Sequence, residues 1–200
     1  MMSSYDPTDG LFVAQFERPD ELEPIDIATL TPMQRALTVI DGTVTKFIEA
    51  YAMEAVEVTT LGQSVQTLAG SQDWLEVDAG RDVLARHVTL IGADSRMLYA
   101  YAVSLTNPAA IPRDIRAAME VQGGSVGRIL LGSRVEQRRE VLWYGRESPD
   151  GLPDGIRGAY DGDLLTRAYR IITGGRPVIM IIEKFPLRDC AGPPELLETR

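Results

Sequence analysis

Between Thr31 and Glu54 the apolar positions of this chain recur every three or four residues, and from Val56 onward they recur mostly every second residue. The first spacing lines one side of a helix and the second lines one face of a strand. In "TLTPMQRALTVIDGTVTKFIEAYAMEAVEV", Thr31 followed by Pro32 fits an N-cap and first helical position. Leu37 and Ile40 continue an apolar stripe that Asp41-Gly42 ends. Thr43 then caps a second helix, with Lys46 three residues on where a capping box would carry Glu or Gln.

The alternating segments "AVEVTTLGQSVQTL", "DVLARHVTLIG" and "RMLYAYAVSLT" predict three strands, the last two joined by a tight turn at "GADS". "PAAIPRDIRAAMEVQ" reads as a helix behind prolines, and "SVGRILLGS" as a short helix opening at Ser125 after two glycines. "SRVEQRREVLWYGRE" predicts a strand with Val135, Gln137, Arg139, Val141 and Trp143 on one face. "LLTRAYRIITGGRPVIMIIEKFPL" predicts a hairpin turning at Gly174-Gly175. Strands joined by hairpins form an antiparallel sheet, and the interspersed helices must cover one of its faces, so the class is α+β. Residues 1–28 have no period and read as an N-terminal extension, residues 29–188 as the folded domain, and residues 189–200 as a polar, proline-bearing tail.

A composition of 44% hydrophobic and 24% charged residues suits one soluble domain of this length. The formal charge of −9 would be repelled by nucleic acid or an anionic membrane, so neither is expected as a partner. A small anion is still compatible, because local arginines can build a positive pocket inside an acidic shell. Apolar runs such as "PVIMII" are far shorter than the roughly 20 residues that cross a bilayer, and the N-terminus lacks a basic start followed by an apolar core. A cytoplasmic location is expected. One cysteine, Cys190, and one histidine, His87, permit neither an internal disulfide nor a Cys/His zinc cluster. "DGLPDGIRGAYDGD" lacks the alternate-residue spacing and closing glutamate of a calcium loop, and is expected to be a flexible connection.

Two charges fall on apolar faces. Arg86 shares its face with Leu84, Val88 and Leu90, and Glu183 shares its face with Ile179, Ile181 and Phe185. An arginine keeps its proton, so a buried one needs an anion or a dense set of acceptors. Two readings are open: a buried salt bridge between them or with neighbours, or a cavity whose ligand brings an anion to Arg86 and a hydroxyl or proton to Glu183. His87 points away from Arg86 with no serine or cysteine motif to activate, and reads as a satisfied surface or packing histidine. "GGSVGR" offers helix-start amides that suit an anion, but it lacks the Lys-Ser/Thr pair of a phosphate loop.

Taken in order, "DGTVTKFIEAY", "VLARHVTLIGADSRMLYAYAVSLT", "SVGRILL", "RREVLWYGRE" and "LLTRAYRIITGGRPVIMIIEKFP" resemble the chorismate pyruvate-lyase family over roughly residues 36 to 187. The likeness is to the branch that makes 4-hydroxybenzoate in actinobacteria and cyanobacteria. It implies a six-stranded antiparallel sheet, helices over one face, and a ligand enclosed beneath helical flaps. It also implies conversion of chorismate to 4-hydroxybenzoate and pyruvate without metal or organic cofactor. A monomer or homodimer is expected, supplying 4-hydroxybenzoate to a quinone, glycolipid or other secondary pathway. Arg86 would grip the ring carboxylate and Glu183 would approach the ring hydroxyl. The backbone amides of Val44 and Val126 would help to hold the carboxylate, with Thr45, Gly127, Arg128 and Tyr101 also lining the substrate. Some members place an arginine where this chain has Tyr101, which leaves Arg128, Arg139, Arg167 and Arg170 as candidates for the second carboxylate. Two other readings accompany this one. One is a same-fold enzyme with a different substrate, such as a cyclising or eliminating enzyme of polyketide metabolism. The other is a ligand-sensing module, whose usual DNA-binding winged helix has no room in the short, acidic residues 1–50.

Overall fold

The computed structural model of the chain describes residues 5–113, 115, 132, 136–160 and 162–187. Six strands form one antiparallel sheet: β1 (Val56–Thr67), β2 (Asp82–Gly92), β3 (Leu98–Thr106), β4 (Gln137–Glu147), β5 (Leu164–Thr173) and β6 (Arg176–Pro186). Their spatial order is β1-β2-β3-β6-β5-β4, so two three-stranded meanders meet where β3 pairs with β6. Gly174 and Gly175 turn the β5–β6 hairpin at φ +56° and +77°, the left-handed pair that a two-residue turn requires. The segments "PAAIPRDIRAAMEVQ" and "SVGRILLGS" fall mainly outside the described residues, and with them Val126, Gly127 and Arg128.

On one face, here called the helical face, lie α1 (Pro32–Val39) and α2 (Val44–Ala52). Thr31 and Gln34 complete a reciprocal capping box at the start of α1, as the Thr31-Pro32 pair predicts. Leu37, Val44 and Ile48 pack onto Leu90, Ala100, Leu165 and Phe185. Burial of Phe185 and Leu165 contributes about 2 to 3 kcal/mol each.

The opposite face is covered as well. Leu75 and Val77 pack on Val83, Leu142, Trp143, Ala168 and Met180. Leu152, Ile156, Ala159 and Tyr160 pack on Ile91, Leu98, Tyr101 and Leu164. The expectation of a flexible connection at residues 150–163 is therefore corrected: it contains a single helical turn, α3 (Asp154–Arg157), whose apolar side is buried. A register shift between Val141 and Trp143 also corrects the face of β4, since Val141 opposes Tyr169 on the helical face while Trp143 opposes Ala168 on the other.

The N-terminal extension wraps the β4 edge. Val13 and Ala14 donate backbone hydrogen bonds to the carbonyls of Val141 and Leu142 at 3.0 Å. The Gln15 carboxamide bonds both the N–H and the C=O of Tyr144 at 2.9 Å, and Glu23 bridges to Arg146. Gly145 permits this approach, because a Cβ there would stand 2.8 Å from the Glu23 carbonyl oxygen.

Candidate active site

The strand register sets the charged residues over a common floor. One row across the helical face reads Thr60, Val88, Ala102, Glu183, Arg167 and Tyr144. The next row reads Gln63, Arg86, Ser104, Ile181, Tyr169 and Val141. Arg86 and Glu183 are thus on one face, two strands apart, or about 10 Å at the usual strand spacing. The residues between them on β3 are Ala102 and Ser104, both with small side chains.

Arg86 is half-buried and its Nη2 donates to the Thr60 hydroxyl at 2.7 Å. Glu183 is 6% exposed, and its salt bridge is with Arg167: Nε donates to Oε2 at 2.9 Å. The Tyr169 hydroxyl lies 3.3 Å from Oε1 and donates to it. Burial, and then the charge of Glu183, push the Tyr169 hydroxyl far above its ordinary range, so it remains a donor throughout the pH range of a working enzyme.

Arg167, 1% exposed, also reaches the far end of α1, where its Nη1 donates to the carbonyls of Ile40 at 2.6 Å and Thr38 at 3.4 Å. Arg139 donates to the next carbonyl, Asp41, at 3.0 Å, while its buried Nε has no hydrogen-bond partner among the described residues. The junction between α1 and α2 is therefore fastened by two arginines from β4 and β5. It leads into the first turn of α2, where Thr43 makes no side-chain cap bond and the amides of Val44 and Thr45 have no helical acceptor. Val44 is buried in the core and Thr45 is half-buried.

Tyr101 does not join Arg86 and Glu183. It opposes Lys184 and Thr89, so alternation turns it to the other face, where its hydroxyl meets His87 Nδ1 at 2.6 Å. The β3 residue that faces Glu183 is Ala102, one position on, and it has no polar group to offer a ligand. His87 points away from Arg86, as the alternation of β2 predicts. Arg170 also lies on the other face, paired with Glu140 at 2.8 Å and stacked 5.8 Å from the Trp74 ring centroid.

Sequence reasoning missed Tyr169 and did not connect Arg167 to Glu183. The signal was present in "LLTRAYRII", where alternation gathers Leu165, Arg167, Tyr169 and Ile171, so a second arginine stands on an apolar face. A groove of about 810 Å³ bounded by Met33, Leu37, Tyr51, Met97, Tyr99 and Phe185 includes neither Arg86 nor Glu183, and lies apart from this site. Among the described residues no cluster of His, Cys, Asp and Glu could hold a metal, and no helix is long and apolar enough to cross a membrane.

An antiparallel sheet that sets a half-buried arginine and a buried, arginine-braced glutamate on one face defines an α+β domain with charged groups built into an apolar layer. The chain belongs to the Rv2949c-like chorismate pyruvate-lyase family, whose model matches residues 38–190, and it is a lyase. It is 31% identical over 154 residues to the chorismate pyruvate-lyase of Mycobacterium leprae, covering 76% of this chain and 72% of that one. It is 27% identical over 168 residues to the chorismate pyruvate-lyase of Mycobacterium tuberculosis, covering 80% and 82%. Among solved structures, PhnF from Mycobacterium smegmatis aligns with a TM-score of 0.53 at 13% identity, over 72% of this chain and 64% of that one, a likeness of fold alone.

Proposed function

We propose that the protein eliminates pyruvate from chorismate to give 4-hydroxybenzoate, in the cytoplasm and without a cofactor. Family membership supports the reaction, and the observation that carries the site is Arg86 and Glu183 on one face with only Ala102 and Ser104 between them. The ether bond from the ring to the enolpyruvyl group breaks, the ring loses a proton and becomes aromatic, and the departing enolpyruvate takes up a proton to become pyruvate. The two products together contain every atom of the substrate, so the balance needs no oxidant, reductant or second substrate.

Arg86 anchors the ring carboxylate through its guanidinium, already oriented by Thr60. Glu183 accepts a hydrogen bond from the ring hydroxyl at the opposite end. Each of its oxygens receives one protein donor and keeps a lone pair for a ligand. The Val44 and Thr45 amides, at a helix start, add partial positive charge for an anionic group. Catalysis on this reading is orientation between fixed ends together with electrostatic stabilisation of the departing carboxylate group. Incubation of the purified protein with chorismate is expected to release 4-hydroxybenzoate and pyruvate in equal amounts. Absence of both products would overturn the proposal.

A further inference from the structure

We infer that Arg167 is a positioning residue, which acts on the reaction by fixing the Glu183 carboxylate and tying it to the end of α1, and does not itself bind substrate. The inference rests on the proposed lyase reading, and it concerns a residue that the sequence alone offers as a partner for the second substrate carboxylate.

Three observations carry it. First, the geometry of the Glu183 carboxylate is set from below by two groups, Arg167 Nε on Oε2 and Tyr169 Oη on Oε1. A glutamate on a strand has three rotatable side-chain bonds, and one contact per oxygen removes the freedom of the last of them. Second, Nη1 of the same guanidinium is turned towards α1, where it meets the carbonyls of Thr38 and Ile40. The final carbonyls of a helix have no helical donor and collect the negative end of its dipole, so a cation there is favoured on two counts. Third, Arg167 is 1% exposed and lies against the Tyr169 ring, its Cζ 5.3 Å from the ring centroid. Such a side chain is enclosed by protein groups that use its charge.

The consequence is a mechanical link between two parts of the proposed site. Ile40 begins the junction that enters α2 at Val44, so one buried guanidinium fixes both the acceptor for the ring hydroxyl and the backbone leading to the α2 amides. Arg139 holds Asp41 in the same junction, while the bond to Glu183 comes from Arg167, which makes Arg167 the connecting member.

The test is a double-mutant cycle on the full chain, using Arg167→Met, Glu183→Gln and the two combined, with kcat/KM for chorismate as the readout. Urea unfolding and far-UV circular dichroism verify that each variant is folded at the assay temperature. Arg167→Met is expected to lower kcat/KM by about 10- to 100-fold, the range for losing a hydrogen bond to a charged group. In the Glu183→Gln background the same change is expected to cost less than about threefold, because the group through which Arg167 acts has already been altered. Tyr169→Phe deletes only the hydroxyl and serves where Arg167→Met does not fold; its loss should likewise vanish in the Glu183→Gln background. Equal losses in both backgrounds, with an active wild-type protein, would overturn the inference and leave the lyase reading intact. A wild-type protein inactive on chorismate would overturn both.

Discussion

Arg86 and His87 are neighbours in sequence on opposite faces of β2, so truncating each in turn separates site from scaffold within one residue. Arg86→Ala removes the proposed anchor of the ring carboxylate. A guanidinium–carboxylate fork consists of two charge-assisted hydrogen bonds, each worth about 1.5 to 3 kcal/mol, of which about 4 kcal/mol in total is a moderate figure. Such a loss corresponds to a fall of roughly a thousandfold in kcat/KM. The folded state loses much less, because the side chain is half-buried and its charged end keeps access to water. His87→Ala acts in the opposite sense. It leaves the 3% exposed Tyr101 hydroxyl without its 2.6 Å partner, costing about 1 to 3 kcal/mol of stability, or a fall of about 1 M in the urea midpoint, with kcat/KM nearly unchanged. Product release from chorismate and urea unfolding of both variants measure the two axes. Equal losses of kcat/KM in the two variants, or a loss under tenfold for Arg86→Ala, would refute the division of roles.

Two further predictions concern the frame. The Glu54 carboxylate is drawn from its ordinary value of 4.5 to about 2 by the Ser95 amide first, then by the Tyr99 and Ser95 hydroxyls. Because the folded value is depressed, the stability it contributes is present above pH 4.5 and is lost as pH falls towards 2. Glu54→Gln should therefore lower Tm at neutral pH and flatten the acid limb of Tm against pH, whereas parallel limbs for wild type and variant would contradict the role given to Glu54. Gly145→Ala introduces a Cβ 2.8 Å from the Glu23 carbonyl oxygen and 3.0 Å from Leu22 Cβ, so the N-terminal extension must lift from β4. The expected results are cleavage near residues 15–25 by limited proteolysis and a loss of about 1 to 3 kcal/mol; an extension as protected as in the wild type would count against that packing.

The strands and the two helices of the helical face were legible because their periods of two and of three to four run long enough between register shifts to be read, and their ends carry ordinary signals, such as Thr31 with Gln34 and the Gly174-Gly175 turn. Three things were hidden, each for a physical reason. The aspartates and glycines of residues 150–163 mask the helical spacing of Leu152, Ile156 and Tyr160, which packs that segment onto the sheet. In "YAYAVS" both faces of β3 are apolar, so alternation alone cannot tell Tyr101 from Ala102 as the neighbour of Glu183, and only the pairing with β6 decides it. The third is the salt bridge itself. Counting back from Thr173 opposite Arg176 across the glycine turn sets Arg167 opposite Ile182, on the wrong face for Glu183. A register shift between Ile171 and Ile172, which leaves Val178 as the extra residue of β6, moves the pairing by one and brings Arg167 opposite Glu183. Nothing in the pattern of "RPVIMIIEKF" announces that bulge, because a run that is apolar on both faces reads the same in either register. The glutamate was legible as an anomaly from alternation alone, while its partner depended on one unpaired residue two positions after β6 begins at Arg176, where β6 changes which of its faces the arginine meets.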